Sequence, residues 1–235
     1  MTNDDIKDIY EKSIFNDEYN VSNLDPQGIF LKNFLPLSKK INILDAGCGN
    51  GRYSNMLSLL GYENINAVDL LDISHFEEKN FIYYKSDIRN TPFENASLDF
   101  IYSFSVLFYL KNLNEGIEEF HRILKKNGIL MITAHTKYSF FTLERVLKGK
   151  KLKHLEGVKF YSANYYKKLL EENGFEIVHM DGFNTSYFLY PWYRKFANRF
   201  KLNLPKIPST VTKNHFLSLV RSELSYHSVI VAKKK

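Results

Sequence analysis

Three glycines in five residues, Gly47, Gly49 and Gly51, stand just after the apolar run Ile41–Asp45 and just before the helical stretch that opens at Arg52. A glycine-rich turn between a strand and a helix lets backbone approach a ligand at the carboxyl edge of a sheet. The spacing is G-x-G-x-G. A dinucleotide fingerprint needs G-x-G-x-x-G and a phosphate loop needs a Gly-Lys-Ser/Thr ending, so the turn favours a nucleoside without a pyrophosphate. Three carboxylates fall near the same edge. Asp45 leads into the turn. Asp69, 18 residues past Gly51, ends the next strand, where a carboxylate can accept hydrogen bonds from both ribose hydroxyls. Asp87 and Ile88 follow a third strand, where a carboxylate and an apolar side chain suit the edge and face of an adenine.

Proton-handling groups are fewer. His135 ends the fifth strand, where a neutral imidazole could take a proton from an acceptor hydroxyl; a hydrogen-bonded structural histidine fits it equally well. Tyr109, Tyr138 and Tyr161 are weaker candidates in a chain with 16 tyrosines. His121 belongs to a helix covering the sheet, and His154 to the basic run 148–154. Cys48 is the only cysteine. It excludes an internal disulfide and a thiolate-rich metal site, and inside the turn it reads as a small buried filler, so no metal is expected.

Positioning these residues takes alternating strands and helices. Strands are expected at Ile41–Asp45, Ile65–Asp69, Phe81–Lys85, Leu98–Phe104, Ile129–His135 and Phe175–Asp181, with a last strand at Tyr226–Ala232. Helices at Arg52–Leu60, Leu113–Lys125 and Ala163–Asn173 run towards Gly61, Gly128 and Gly174, which suit C-terminal stops. The alternation predicts an α/β doubly wound sheet in one domain. Residues 1–38 form an N-terminal helical cap, with helices at 4–15 and 27–35; 39–183 form the core; 184–224 form an inserted lid with a helix near 212–222; 225–235 form the final strand and a basic tail.

Composition sets outer bounds. Hydrophobic residues at 44% and charged residues at 25% describe a globular chain, and no run reaches the ~18 apolar residues of a membrane span. The acidic, polar opening MTNDDIKDIYEKS lacks an export signal, so a cytoplasmic location is expected. The net charge of +6 is split unevenly, with −6 over residues 1–136 and +12 over residues 137–235. The basic half favours anionic partners.

The run Leu44-Asp45-Ala46-Gly47-Cys48-Gly49-Asn50-Gly51, with Leu98–Ser103 and Phe120–Leu130, resembles the first motif, fourth-strand region and helix-turn-strand of the class I S-adenosylmethionine-dependent methyltransferases, in their broad small-molecule group. The resemblance covers about residues 40–182 and the last strand. It implies a seven-stranded, mostly parallel Rossmann-like sheet whose last strand is antiparallel. It also implies that the Gly47–Gly49 backbone lies against the methionine part of the cofactor, with Asp45 orienting the turn. Asp69 would hold the ribose, Asp87 and Ile88 the adenine, and Ser103 the methionine end. Phe108-Tyr109 stands where many relatives carry a histidine, and Lys126-Asn127 replaces a common Pro-Gly.

The expected reaction is methyl transfer to a small or medium-sized acceptor, anionic or polar, with O-methylation of a sugar-type acceptor preferred. A hydroxyl acceptor would need a general base, His135 first and Tyr109 second. The acceptor pocket is expected from residues 137–160 and the lid. Nucleic-acid methylation is a second reading; the Ser103–Val106 region lacks an Asn/Asp-Pro-Pro-Tyr motif. A third is a non-catalytic cofactor-binding fold kept as a scaffold or partner of another enzyme, at a membrane surface through Tyr187–Phe200.

Overall fold

A computed structural model describes residues 25–72, 80–139, 159–183 and 215–235, together with 142, 147 and 199. The helix expected at 4–15 and the aromatic stretch at 187–196 lie outside the described residues, as does nearly all of the 140–158 wall.

One seven-stranded sheet organises the chain. In sequence order its strands are β1 (Asn42–Ala46), β2 (Asn64–Asp69), β3 (Ile82–Lys85), β4 (Leu98–Phe104), β5 (Leu124–His135), β6 (Phe175–Phe183) and β7 (His227–Lys234). Their spatial order is β3-β2-β1-β4-β5-β7-β6. The first five pair parallel, and β7 runs antiparallel to both β5 and β6. The order reverses between β1 and β4, and such a switch point opens a crevice outside the carboxyl ends of the strands. The glycine turn leaves β1 at that crevice.

The helices are α1 (Pro26–Phe34), α2 (Arg52–Leu59), α3 (Leu113–Ile123), α4 (Ala163–Glu172) and α5 (His215–Leu224). Side chains set three of their starts: Asp25, Asn112 and Ser162 each accept a bond from a first-turn backbone N–H. Two cores form, one per sheet face. Leu44, Ile101, Leu130 and Ile230 meet Ile117, Phe120, Tyr166 and Leu170 on one face. On the other, Ile43, Phe100, Met131 and Val231 meet Phe30, Leu31, Met56 and Leu57. Alternate residues of each strand therefore serve opposite layers, as the pleat requires.

The boundary between α3 and β5 differs from the sequence reading. Helical spacing ran to Lys125, but α3 stops at Ile123 and β5 begins at Leu124, which pairs with Leu98. Lys125 donates to Asp99 at 2.8 Å and Asn127 takes a left-handed φ of 64°, so tertiary pairing ends the helix early. The helix expected near 212–222 is α5, which packs on β6. Gly182 permits the approach: a Cβ there would strike the Arg221 carbonyl. Arg221 returns a 2.7 Å bond to the Gly182 carbonyl and pairs with buried Asp181 at 3.3 Å.

Candidate active site

The turn after β1 depends on glycine. Gly47, Gly49 and Gly51 have φ of 82°, 56° and 78°, a region where a Cβ is unfavourable. At Gly47 a Cβ would also collide with Val106, and at Gly51 with Phe81. Neighbouring strands brace the turn: Gly47 and Cys48 donate to the Val68 carbonyl at 2.8 and 3.0 Å, and Gly49 donates to Asp69 Oδ2 at 2.8 Å. Asp69 Oδ1 accepts from Leu71 N at 3.0 Å. A carboxylate offers about four acceptor positions, so with the Leu70 backbone donor added about one is left for a ribose hydroxyl.

Asp45 is buried beneath the turn, where its Oδ2 accepts the Ser54 hydroxyl at 2.8 Å. Burial pushes its pKa up to about 7 against the opposing hydrogen bonds of Ser54 and Tyr102. Desolvation likewise raises Asp69, against backbone donors that lower it. Asp87 behaves oppositely: the Arg89 guanidinium grips both oxygens, at 3.0 and 2.6 Å, and lowers its pKa. Ile88 is buried in the core cluster that holds Val68 and Leu107.

A cavity of about 350 Å³ opens beside the turn. The β1 turn contributes Asp45, Gly47, Cys48, Gly49 and Asn50 to its lining; α1 and α2 with their caps contribute Asp25, Gln27, Arg52 and Tyr53; the ends of β4, β6 and β7 contribute Phe104, Ser105, Phe183 and His227. Gln27 ties these walls together. It donates to Thr133 Oγ1 at 2.8 Å and Ser105 Oγ at 3.4 Å, and accepts from Tyr53 at 2.7 Å. The Tyr53 hydroxyl also contacts Asp25 at 2.9 Å and accepts from Arg52 at 3.0 Å. Ser105 holds a φ of 59°, strain that clusters at functional sites.

Three sequence-derived assignments change. Ser103 is fully buried and gives its hydroxyl to the Ala46 carbonyl at 2.8 Å, so it braces β1, and Ser105 occupies the cavity wall instead. His135 does not line the cavity: it is 9% exposed, packed among Phe108, Tyr226 and His227, with its cross-strand partner His227 in front. Tyr109 ends the short 3-10 turn Leu107–Tyr109 and packs on Phe108 in the opposite core, away from the cavity wall. Sequence reasoning passed over Gln27, Ser105 and His227, because nothing local announces them; only the long-range pairing of β7 with β5 brings His227 forward.

The methyltransferase-domain family matches residues 25–180. The chain belongs to that family, and its sheet is the class I fold of S-adenosylmethionine-dependent methyltransferases. Among curated proteins it is 30% identical over 95 residues to a malonyl-[acyl-carrier protein] O-methyltransferase of Yersinia pestis, covering 39% of this chain and 35% of that one. It is 31% identical over 116 residues to a ubiquinone/menaquinone biosynthesis C-methyltransferase of Campylobacter jejuni, covering 44% and 48%. The matches thus span less than half the length of these relatives. A Thermotoga maritima S-adenosylmethionine-dependent methyltransferase, a possible histamine N-methyltransferase, shares the fold with a TM-score of 0.67 at 19% identity, over 98% of this chain and 100% of that one. A geranyl diphosphate C-methyltransferase of Streptomyces coelicolor, solved with S-adenosyl-L-homocysteine, gives a TM-score of 0.62 at 17% identity, over 89% and 78%. The family's cofactor is S-adenosylmethionine, and a turn whose left-handed glycines Gly47 and Gly49 bring bare backbone to the cavity fits the close approach such a group needs. Among the described residues no helix is long and apolar enough to cross a membrane.

Proposed function

We propose that the chain transfers the methyl group of S-adenosylmethionine to a small polar or anionic acceptor, with a hydroxyl of a sugar-type molecule as first choice. The observation that carries this reading is the cavity joining the Gly47–Gly49 turn to a polar and aromatic wall of Gln27, Tyr53, Ser105 and His227. The bound cofactor supplies a sulfonium-activated methyl carbon, so the protein's task is chiefly alignment of the acceptor behind it at about 3 Å. The turn backbone receives the methionine end over Asp45; Asp69 takes the ribose; Asp87 and Ile88 border the adenine. The +12 charge of residues 137–235 favours an anionic acceptor. Structural neighbours whose names carry geranyl diphosphate and phosphoethanolamine are consistent with one.

Calorimetric titration of the purified chain with S-adenosylmethionine and S-adenosylhomocysteine, beside Asp69→Ala, tests this. Micromolar binding by the parent and at least about a hundredfold loss in the variant are expected, since Asp69 organises both the ribose site and Gly49. Undiminished binding in Asp69→Ala would sink the site assignment. A parent that binds neither ligand would remove the reading.

A further inference from the structure

We infer that His227 is the residue that meets the acceptor beside the transferred methyl group and takes the proton the acceptor releases. The inference rests on the methyl-transfer reading above.

His227 opens β7 and lines the same cavity as Ser105, Gln27 and the Gly47–Gly49 turn. Packing fixes its ring. It lies face to face with Phe183, centroids 4.8 Å apart at 8°, with Tyr226 at 4.5 Å and His135 at 4.4 Å. The other titratable groups of the cavity suit proton uptake less. Asp25 caps α1 and contacts the Tyr53 hydroxyl, Asp45 receives Ser54 under the turn, and Arg52 is already cationic.

A neutral imidazole keeps one ring nitrogen as an acceptor. Burial and the adjacent His135 hold His227 well below the ordinary histidine range, so it stands neutral at pH 7. Its weak basicity is adequate, because a hydroxyl becomes strongly acidic as its oxygen acquires the methyl group. The oxygen lone pair forms the O–C bond, the carbon–sulfur pair returns to sulfur, and the O–H proton passes to the imidazole while its electrons stay on oxygen. One positive charge thus moves from sulfur to His227. His135, 4.4 Å away, cannot share a second charge and favours release of the proton to water.

S-adenosylmethionine carries the sulfonium charge and S-adenosylhomocysteine does not, so the ratio of their dissociation constants reports any charge placed beside the sulfur. Calorimetry on the full chain should show this ratio rising by about fivefold or more in His227→Lys and falling by as much in His227→Asp. His135→Gln should leave it unchanged. Binding of S-adenosylhomocysteine certifies each variant as folded, and either charge variant alone decides the sign. Ratios within about twofold of the parent in a variant that still binds S-adenosylhomocysteine would overturn the inference. A parent that binds neither ligand would instead strike the methyl-transfer reading and this inference with it.

Discussion

Replacing Asp45 with Asn should make the ligand-free protein more stable at alkaline pH, although it alters a residue of the cofactor turn. The carboxyl is buried and its pKa stands at about 7 in the fold against a reference value of 3.8. Between these values the unfolded chain has released the proton and the native protein retains it, so stability falls as pH rises through that window and levels off above pH 7. That gap is worth about 4 kcal/mol of stability at high pH. Asn is close in shape, does not titrate, and its amide oxygen can still accept the Ser54 hydroxyl. Urea unfolding of the parent and the Asp45→Asn variant from pH 4 to pH 8 should therefore give curves that nearly meet at pH 4 and diverge in favour of the variant towards pH 8. Parallel curves would refute the claim that Asp45 is buried against its own charge. The same titration links to the ligand: a cationic cofactor above Asp45 favours its ionised form, so affinity for S-adenosylmethionine should fall as pH drops through 7.

Two further substitutions probe the walls of the cavity. Gly47→Ala should cost about 1–3 kcal/mol from the left-handed backbone and the Val106 collision together, and weaken the cofactor; adding Val106→Ala should recover the steric part only, as read by urea midpoints. Gln27→Ala leaves the buried groups around Thr133 and Tyr53 short of a partner and should cost about 1–3 kcal/mol, with a raised Kd for S-adenosylhomocysteine; an unchanged Kd would show that α1 does not close the cavity.

Residues that act within a few positions of one another were legible in the sequence. Gly47, Gly49 and Gly51 announce a turn that only glycine allows, and Asp45 and Asp69 fall at strand ends because short apolar runs of Val, Ile and Leu fix those ends. The seven strands were readable for the same reason, and the antiparallel last strand came from the family resemblance. What resisted reading is what distant segments decide together. Ser103 and Ser105 differ by two residues, yet only the positive φ at Ser105 turns it into the cavity while Ser103 locks onto Ala46. His135 carries the right chemistry at the right strand end, but β7 arrives from 92 residues further along and sets His227 in front of it. Gln27 looks like an ordinary first-turn residue until its bonds to Tyr53 and Thr133 are traced.

The place of β7 has a consequence for how the protein comes into being. β6 pairs with β7 and β5 pairs with β7, but β5 and β6 do not touch as sheet neighbours. During synthesis β6 is therefore made with no sheet partner and stays so until residues 227–234 have left the ribosome. The half-built sheet exposes the β5 edge, a template for unwanted pairing. Because His227 heads that late strand, the emerging chain completes its cavity wall and its fold in one event, and a nascent protein cannot display a finished site on an unfinished sheet.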